Sequence, residues 1–223
     1  MCGNGPNRLA VRTPSDEIVT NLMPRPIYKR GMRTEAESRA GGPSVPDGAE
    51  TLRGVIERAS RGDTDAFRRL FDRYVDRVFR YGYVRLGRSD EANDLVQEVF
   101  LSVWKALPSF RYEHEGSFPA WLFRIASRRV GDRVKQRVRH QAVPLDEAPE
   151  GSIEFEGQAV SRRLLVAALA TLPERQREVV VLRFVAGLPV KEIAAAMGKT
   201  EAAITALQMR GLDHLRRYIE RGP

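Results

Sequence analysis

The sequence predicts an all-α protein in which a disordered N-terminal extension precedes two small helical domains joined by a flexible acidic linker. Three observations lead to this prediction. Apolar residues recur three and four positions apart through residues 51–140 and 159–223, which is the spacing of amphipathic helices. Glycine, proline and polar residues break that spacing in residues 1–50 and 141–158. A helix-turn-helix pattern occupies residues 188–217.

Composition limits the kinds of partner and activity that we expect for this protein. The 223 residues include 37 basic and 29 acidic side chains, for a formal net charge of +8, which favours a polyanionic partner, either nucleic acid or an anionic membrane surface. No apolar run approaches the ~18 residues of a membrane span and no signal peptide is recognisable, so we expect a cytoplasmic protein without membrane insertion. One cysteine, three histidines and the absence of common catalytic motifs predict no disulfide, metal site, cofactor or enzymatic activity.

The first predicted domain contains a helix with an acidic face and a helix with a basic face. Ser89 is expected to cap the acidic helix and Pro108 to end it. Its polar face carries Asp94, Gln97 and Glu98, which can be a solvated surface or a docking surface for a basic partner.

The basic helix is predicted from about Phe118 to Arg139. Phe118 and Trp121 belong to its apolar side, and seven basic residues lie between Trp121 and His140 against one acid, Asp132. A solvated face is possible, but cations beside aromatic rings favour nucleic-acid binding by phosphate neutralisation and base stacking.

The linker, residues 141–158, reverses the charge because it contains five acidic residues and no lysine or arginine. The second domain, residues 159–223, is predicted to open with a helix that presents Leu164, Leu165 and Leu169 on one face. A further helix follows Pro173 and is closed by Gly187.

The helix-turn-helix has a turn at Gly198, where a left-handed residue ends one helix, and Thr200, which can cap the next. At about 100° per residue, one side of the second helix collects Ile204, Leu207, Gly211, Leu215 and Tyr218. The other side collects Ala202, Thr205, Ala206, Met209, Arg210 and Asp213. One packed and one polar face suit a helix that enters a DNA major groove, although an ordinary helical hairpin has the same pattern.

Taken together, four segments resemble a bacterial RNA polymerase sigma factor of the extracytoplasmic-function group. They are DAFRRLFDRYVDRVFRYGYVRLG, DEANDLVQEVFLSVWKAL, SFPAWLFRIASRRVGDRVKQR and LPERQREVVVLRFVAGLPVKEIAAAMGKTEAAITALQMRGLDHLR. The resemblance implies sigma region 2 over residues 51–140 and sigma region 4 over residues 159–223. It also implies binding to core polymerase, recognition of −10 and −35 elements and opening of the duplex.

The resemblance assigns residues to three surfaces. The helix that docks on the clamp helices of the largest polymerase subunit would use Asp94, Gln97, Glu98 and Trp104. Contacts with the −10 element are implied for Phe118, Trp121, Arg124, Arg128, Arg129 and Arg133. Contacts with the −35 element are implied for Lys199, Thr200, Glu201, Thr205, Ala206, Met209 and Arg210. Further implied partners are promoter DNA, the flap of the second-largest polymerase subunit and an anti-sigma factor.

This chain departs from common family residues at Ser127, Arg128, Thr205 and Leu207, so the promoter sequence does not carry over. Two other functions compete with the sigma-factor interpretation. A helix-turn-helix regulator acting without polymerase would explain only the C-terminal third. A metal-dependent nucleic-acid enzyme would use Glu91, Asp94 and Glu98, but a single exposed helix face supplies no cleft in which carboxylates converge.

Overall fold

The computed structural model describes residues 50–139 and 164–221. The predicted linker, and all but the last residue of the predicted N-terminal extension, lie outside the described residues. Within them the chain forms eight α-helices and no strand, so the all-α prediction is confirmed. The helices are α1 (Leu52–Ser60), α2 (Thr64–Leu86), α3 (Ser89–Ala106), α4 (Ser117–Arg139), α5 (residues 164–170), α6 (Glu174–Phe184), α7 (Val190–Met197) and α8 (Glu201–Arg221).

Local chemistry explains where α2 begins and ends. The Asp63 carboxylate accepts a hydrogen bond from the Ala66 N–H at 3.0 Å, which caps the helix. This hydrogen bond and the neighbouring Arg58 guanidinium lower the pKa of Asp63. At the other end Gly87 takes the left-handed conformation with φ of 81°, and its N–H bonds the Tyr83 carbonyl.

The predicted cap of α3 is wrong. Ser89 is the first helical residue, and the preceding Arg88 holds the N-cap position without a side-chain cap bond. The Arg88 backbone is extended and its guanidinium pairs with the Asp90 carboxylate at 3.0 Å. The helix therefore begins one residue earlier than a serine cap requires.

The N-terminal bundle, helices α1–α4, is held by aromatic packing. Phe71 and Phe100 join α2 to α3 with ring centroids 4.7 Å apart. Gly82 permits close approach of the same two helices, because a Cβ there would lie 2.7 Å from Cδ2 of Leu95.

The C-terminal bundle, helices α5–α8, has an aliphatic core that includes Val181, Ile193 and Ile204, all fully buried. Leu169 packs into it as predicted, but Leu164 and Leu165 are 56% and 48% exposed. Those two leucines precede Leu169 by about one helical turn, so the predicted apolar face is only partly covered.

The two bundles pack against each other, with α2 and α4 facing α6 and α7. Buried apolar residues form one cluster that extends across both bundles. No helix among the described residues is both long and apolar enough to cross a membrane.

Candidate nucleic-acid and protein interfaces

The helix-turn-helix is formed by α7, a three-residue turn and α8. Gly198 ends α7 with φ of 62°, and the Lys199 N–H bonds the Ala194 carbonyl at 2.9 Å. The Thr200 hydroxyl then accepts a hydrogen bond from the Ala203 N–H at 3.2 Å. The turn glycine and the cap were both predicted from the sequence.

Helix α8 has the two faces that periodicity predicts. Ile204 is fully buried, and Gly211 lies against α6, where a Cβ would come within 2.8 Å of Cγ2 of Val180. The seven residues assigned to −35 contact are all exposed: Lys199, Thr200, Glu201, Thr205, Ala206, Met209 and Arg210. This exposed face is therefore open to a ligand in the structure.

Two polar side chains on the exposed face bond their own helix. The Thr205 hydroxyl donates to the Glu201 carbonyl at 3.0 Å, and Nε of Arg210 donates to the Ala206 carbonyl at 3.1 Å. Arg210 thereby keeps its terminal guanidinium nitrogens available for an acceptor on DNA, whereas Thr205 must give up a hydrogen bond to donate one.

The candidate protein-docking face lies on α3. Asp94, Gln97 and Glu98 are exposed, and Trp104 is half-buried with its ring 4.8 Å from the Phe67 ring. The Glu98 carboxylate pairs with Arg133 of α4 at 2.9 Å. Glu98, a candidate for polymerase contact, is thus paired with Arg133, a candidate for contact with the −10 element.

An aromatic cluster forms the start of α4. The Phe110 ring lies 4.7 Å from Trp121 and 5.7 Å from Phe118. Trp121 is half-buried, but Phe118 has no exposed surface. In this conformation Phe118 supports the neighbouring rings, and a contact between Phe118 and DNA would require the preceding loop to move.

The basic residues of α4 differ in what they contact. Arg129 donates to the Ser102 hydroxyl at 3.0 Å, and Arg133 donates to the Glu91 carbonyl at 2.8 Å in addition to pairing with Glu98. Arg124 donates to backbone carbonyls of α7. Arg128 is exposed. Several basic residues of α4 therefore bond neighbouring helices, α3 and α7, and are not free in this conformation to contact DNA.

Two of the three carboxylates of the metal-enzyme alternative pair with arginines. Glu91 pairs with Arg137, and Glu98 pairs with Arg133. Within the described ranges, 50–139 and 164–221, no group of three histidine, cysteine or acidic side chains is placed to hold a metal ion.

A polar cluster that was not predicted from the sequence is buried between the bundles. Arg85 of α2, only 4% exposed, forms ion pairs with Glu174 and Glu178 of α6. The Tyr81 hydroxyl donates to the Glu178 carboxylate at 2.8 Å, and the Ser127 hydroxyl of α4 bonds the same carboxylate. A charged residue just before the apolar run Val179–Leu182 was the available signal, because buried charges require partners.

Burial between the bundles shifts several pKa values. Burial raises the pKa of Tyr81 and lowers that of Arg177, which also lies near the Arg85 charge. Burial raises the pKa of Glu192 on α7, an effect that the Arg77 charge partly opposes. Each shift disfavours the charged form.

Comparison with known proteins identifies both bundles. Residues 70–140 match the family model for sigma-70 region 2, and residues 168–217 match that for sigma-70 region 4. The chain is 37% identical over 186 residues to the ECF RNA polymerase sigma factor BldN of Streptomyces coelicolor, covering 79% of this chain and 69% of that protein. It is 34% identical over 184 residues to the ECF RNA polymerase sigma factor SigD of Mycobacterium tuberculosis, covering 78% and 86%.

Two solved structures share the fold. The structure of CnrH in complex with the cytosolic domain of CnrY aligns with a TM-score of 0.63 at 23% identity, covering 78% of this chain and all of that chain. The sigma factor RpoE in complex with the anti-sigma factor NepR from Bartonella quintana aligns with a TM-score of 0.54 at 22% identity, covering 70% and 98%.

Proposed function

The chain belongs to the extracytoplasmic-function group of RNA polymerase sigma factors. We propose that α3 binds core polymerase, α4 contacts the −10 element and α8 contacts the −35 element. As a sigma factor it directs transcription by core RNA polymerase. The main support for this function is that one chain contains sigma-70 region 2 followed by sigma-70 region 4. A helix-turn-helix regulator that acts without polymerase would leave the region 2 match unexplained. We place this activity in the cytoplasm, where polymerase and promoters meet.

We assign polymerase docking to α3. Asp94, Gln97 and Glu98 form an exposed, mostly acidic surface, and Trp104 lies beside it with part of its ring accessible. An acidic surface suits a basic partner such as the clamp helices of the largest polymerase subunit, because complementary charge speeds association and fixes register.

We assign the −10 element to α4. Trp121 offers a partly exposed ring for a flipped base, and Arg128 offers an exposed cation for the strand backbone. Arg124, Arg129 and Arg133 can contribute once their internal hydrogen bonds are exchanged for phosphate. Phe118 would act behind Trp121, as a support for its ring.

We assign the −35 element to α8. Thr205, Ala206, Met209 and Arg210 lie on its exposed face, with Lys199, Thr200 and Glu201 at its N-terminus. A helix that presents its N-terminal half in this way can lie in a major groove, where side chains reach base edges.

Transcription with purified core polymerase on a promoter library tests the proposal. We expect start sites that share two sequence elements and that appear only when this protein and core polymerase are both present. Binding to single DNA sites without any polymerase-dependent transcript would instead support the regulator alternative. A chelator should leave the transcripts' dependence on this protein unchanged.

We also propose an anti-sigma factor as a protein partner, as the sequence resemblance implies. RpoE, which shares the fold, was solved with the anti-sigma factor NepR. The partner should co-purify with this protein and lower its transcription with core polymerase. A set of co-purifying proteins that leave transcription unchanged would contradict this proposal.

A further inference from the structure

The helix α3 has a charge opposite to that of the whole chain. Between Ser89 and Ala106 it contains four acidic residues and one lysine, for a net charge of −3, whereas the chain as a whole carries +8. Each of the other seven helices within the described residues is neutral or net positive. Of these eight helices, α3 is therefore the one whose charge attracts a cationic peptide.

The exposed face of α3 has both charge and apolar surface left for a partner. Asp94 is exposed and forms no ion pair with any residue that the structure describes, whereas Glu98 pairs with Arg133. Leu101 and Trp104 are half-buried, so part of each side chain is accessible. Asp94 and Leu101 are seven residues apart and lie on the same side of the helix. This face therefore combines an unpaired carboxylate with an apolar patch.

A segment of the same chain has the complementary chemistry. Residues 18–34, here called the basic segment, have the sequence IVTNLMPRPIYKRGMRT and lie outside the described residues. The segment contains no acidic residue and four basic ones: Arg25, Lys29, Arg30 and Arg33. Its apolar residues include Ile18, Leu22 and Ile27. A peptide that is cationic and partly apolar matches an acidic face with an apolar patch.

The described chain begins near the Trp104 end of α3. The Glu50 carboxylate pairs with Arg69 of α2 at 2.7 Å. In the same part of α2, the Phe67 ring lies 4.8 Å from the Trp104 ring. Residues 35–49 connect the basic segment to this point and can reach roughly 50 Å when extended, whereas α3 is about 27 Å long. The basic segment can therefore reach every part of the α3 face.

The short connection makes a weak contact significant. A flexible connection of this length holds its ends about 20 Å apart on average, which corresponds to an effective concentration in the millimolar range. If the separate peptide bound α3 with a dissociation constant of about 0.1–1 mM, the tethered segment would occupy the face in half or more of the molecules.

We propose that the basic segment docks on the Asp94–Trp104 face of α3 in its own chain and competes there with core polymerase. The competition rests on the proposed function, because it requires polymerase to dock on α3, whereas the docking of the segment does not. A competitor within the chain lowers the apparent affinity for polymerase by the fraction of molecules whose face is free. For about 80–90% docked molecules the loss is about fivefold to tenfold.

A synthetic peptide with the sequence of the basic segment tests the docking without polymerase. The recipient is the full chain with R25E/K29E/R30E, here called the reversed-segment variant, because its own segment no longer complements α3. We expect the peptide to shift NMR resonances of α3, including that of the Trp104 indole N–H. A peptide that shifts no α3 resonance overturns the inference.

Two further substitutions in the recipient show where the peptide binds. Asp94→Arg should weaken peptide binding at least fivefold, because it reverses the unpaired charge of the face. Asp72→Arg makes the same charge change at an exposed position of α2 and should keep binding within about twofold. Equal weakening by both substitutions, or shifts confined to the acidic linker, residues 141–158, would indicate a different or non-specific contact and overturn the inference.

Affinity for core polymerase tests the competition in the full chain. The reversed-segment variant should bind core polymerase about fivefold to tenfold more tightly than the parent. A matched control makes the same charge change at three other cations that precede α1: Arg8, Arg12 and Arg39. This control should stay within about twofold of the parent. Equal affinities of the two triple variants overturn the competition.

Two other results separate this inference from its alternatives. If core polymerase binds none of these proteins, the proposed function is overturned, and the peptide experiment still decides whether the basic segment docks on α3. Light scattering of the parent should show the same molar mass as the reversed-segment variant. A dimer of the parent that this variant does not form would place the segment of one copy on α3 of another, and would overturn docking within one chain.

Discussion

The exposed arginine of α8 and its threonine neighbour should differ in what their loss does. Arg210 can form a bidentate contact with a guanine edge or bond a phosphate, whereas Thr205 offers a single hydrogen bond already made to its own helix. We expect Arg210→Ala to remove most −35-dependent transcription and Thr205→Ala mainly to relax base preference. If Arg210 contacts a guanine, its loss should remove about 1–3 kcal/mol of discrimination between bases. If Arg210 contacts a phosphate, its loss should weaken binding to all DNA sequences alike and lower the salt slope of binding by about one.

Binding titrations at several salt concentrations on matched and scrambled −35 sites separate these two roles of Arg210. Arg216→Ala serves as the control, because Arg216 is exposed on the same helix but lies roughly 120° around the axis from Arg210. Parental binding by Arg210→Ala at every site and every salt would show that this face does not read DNA.

The acidic face of α3 gives a second test at the scale of single residues. Asp94 is exposed, whereas Glu98 also pairs with Arg133. We expect Asp94→Arg to weaken core-polymerase binding about tenfold by reversing charge in a complementary interface, with unfolding free energy within about 0.5 kcal/mol of the parent. Glu98→Lys should weaken binding similarly but also lose up to about 1 kcal/mol from its exposed ion pair.

Asp72→Arg, an equal charge change at an exposed position of α2, controls for net charge. Affinity measured by fluorescence anisotropy should fall for the two α3 variants and stay near the parental value for the control. Equal affinities for all three variants would remove α3 from the docking surface.

At the scale of helices, the sequence predicted the packed and exposed sides of α8 correctly because its period is regular and Gly198 and Thr200 define its start. It failed at α3, where Ser89 looked like a cap but is already helical. It also failed at Leu164 and Leu165, which have the right spacing but lie beyond the core. Periodicity shows which side of a helix is apolar, whereas caps and helix ends depend on neighbours that the local sequence does not identify.

Replacing either of two helical glycines with alanine should change the free energy of unfolding, in opposite directions. A Cβ at Gly211 would lie 2.8 Å from Cγ2 of Val180, whereas a Cβ at Gly131 would meet no atom within 4 Å. Gly211→Ala should therefore destabilise the protein by about 1–3 kcal/mol through overpacking of α8 on α6. Gly131→Ala should stabilise α4 by about 0.5–1 kcal/mol. Chemical denaturation followed by circular dichroism measures both, and a Gly211→Ala protein as stable as the parent would contradict the close packing.

At the scale of the whole molecule, the sequence predicted two helical bundles but not how they meet. The three candidate surfaces could be proposed from periodicity and family resemblance, since each lies within one or two helices. The buried cluster of Arg85, Glu174 and Glu178 could not be proposed in this way, because Arg85 is far from the two glutamates in the chain and each residue is compatible with a solvated position. Only the folded structure shows that Ser127, where this chain differs from the residue common in the family, bonds Glu178 of the other bundle.

The acidic segment between the bundles supports the last prediction. Residues 141–158 carry five acids and no lysine or arginine in a chain of net charge +8, so electrostatic repulsion should keep this segment off DNA, and it could lie in a basic channel of polymerase. Replacing Glu150, Glu154 and Glu156 with glutamine should change open-complex formation more than binding to the duplex promoter. Replacing Glu17, Glu35 and Glu37 with glutamine, at positions that precede the first helix in the sequence, changes net charge equally and should leave initiation near the parental rate. Permanganate footprinting of the opened strand, alongside duplex binding, measures the two steps; a change in thermal stability alone would contradict this role of the segment.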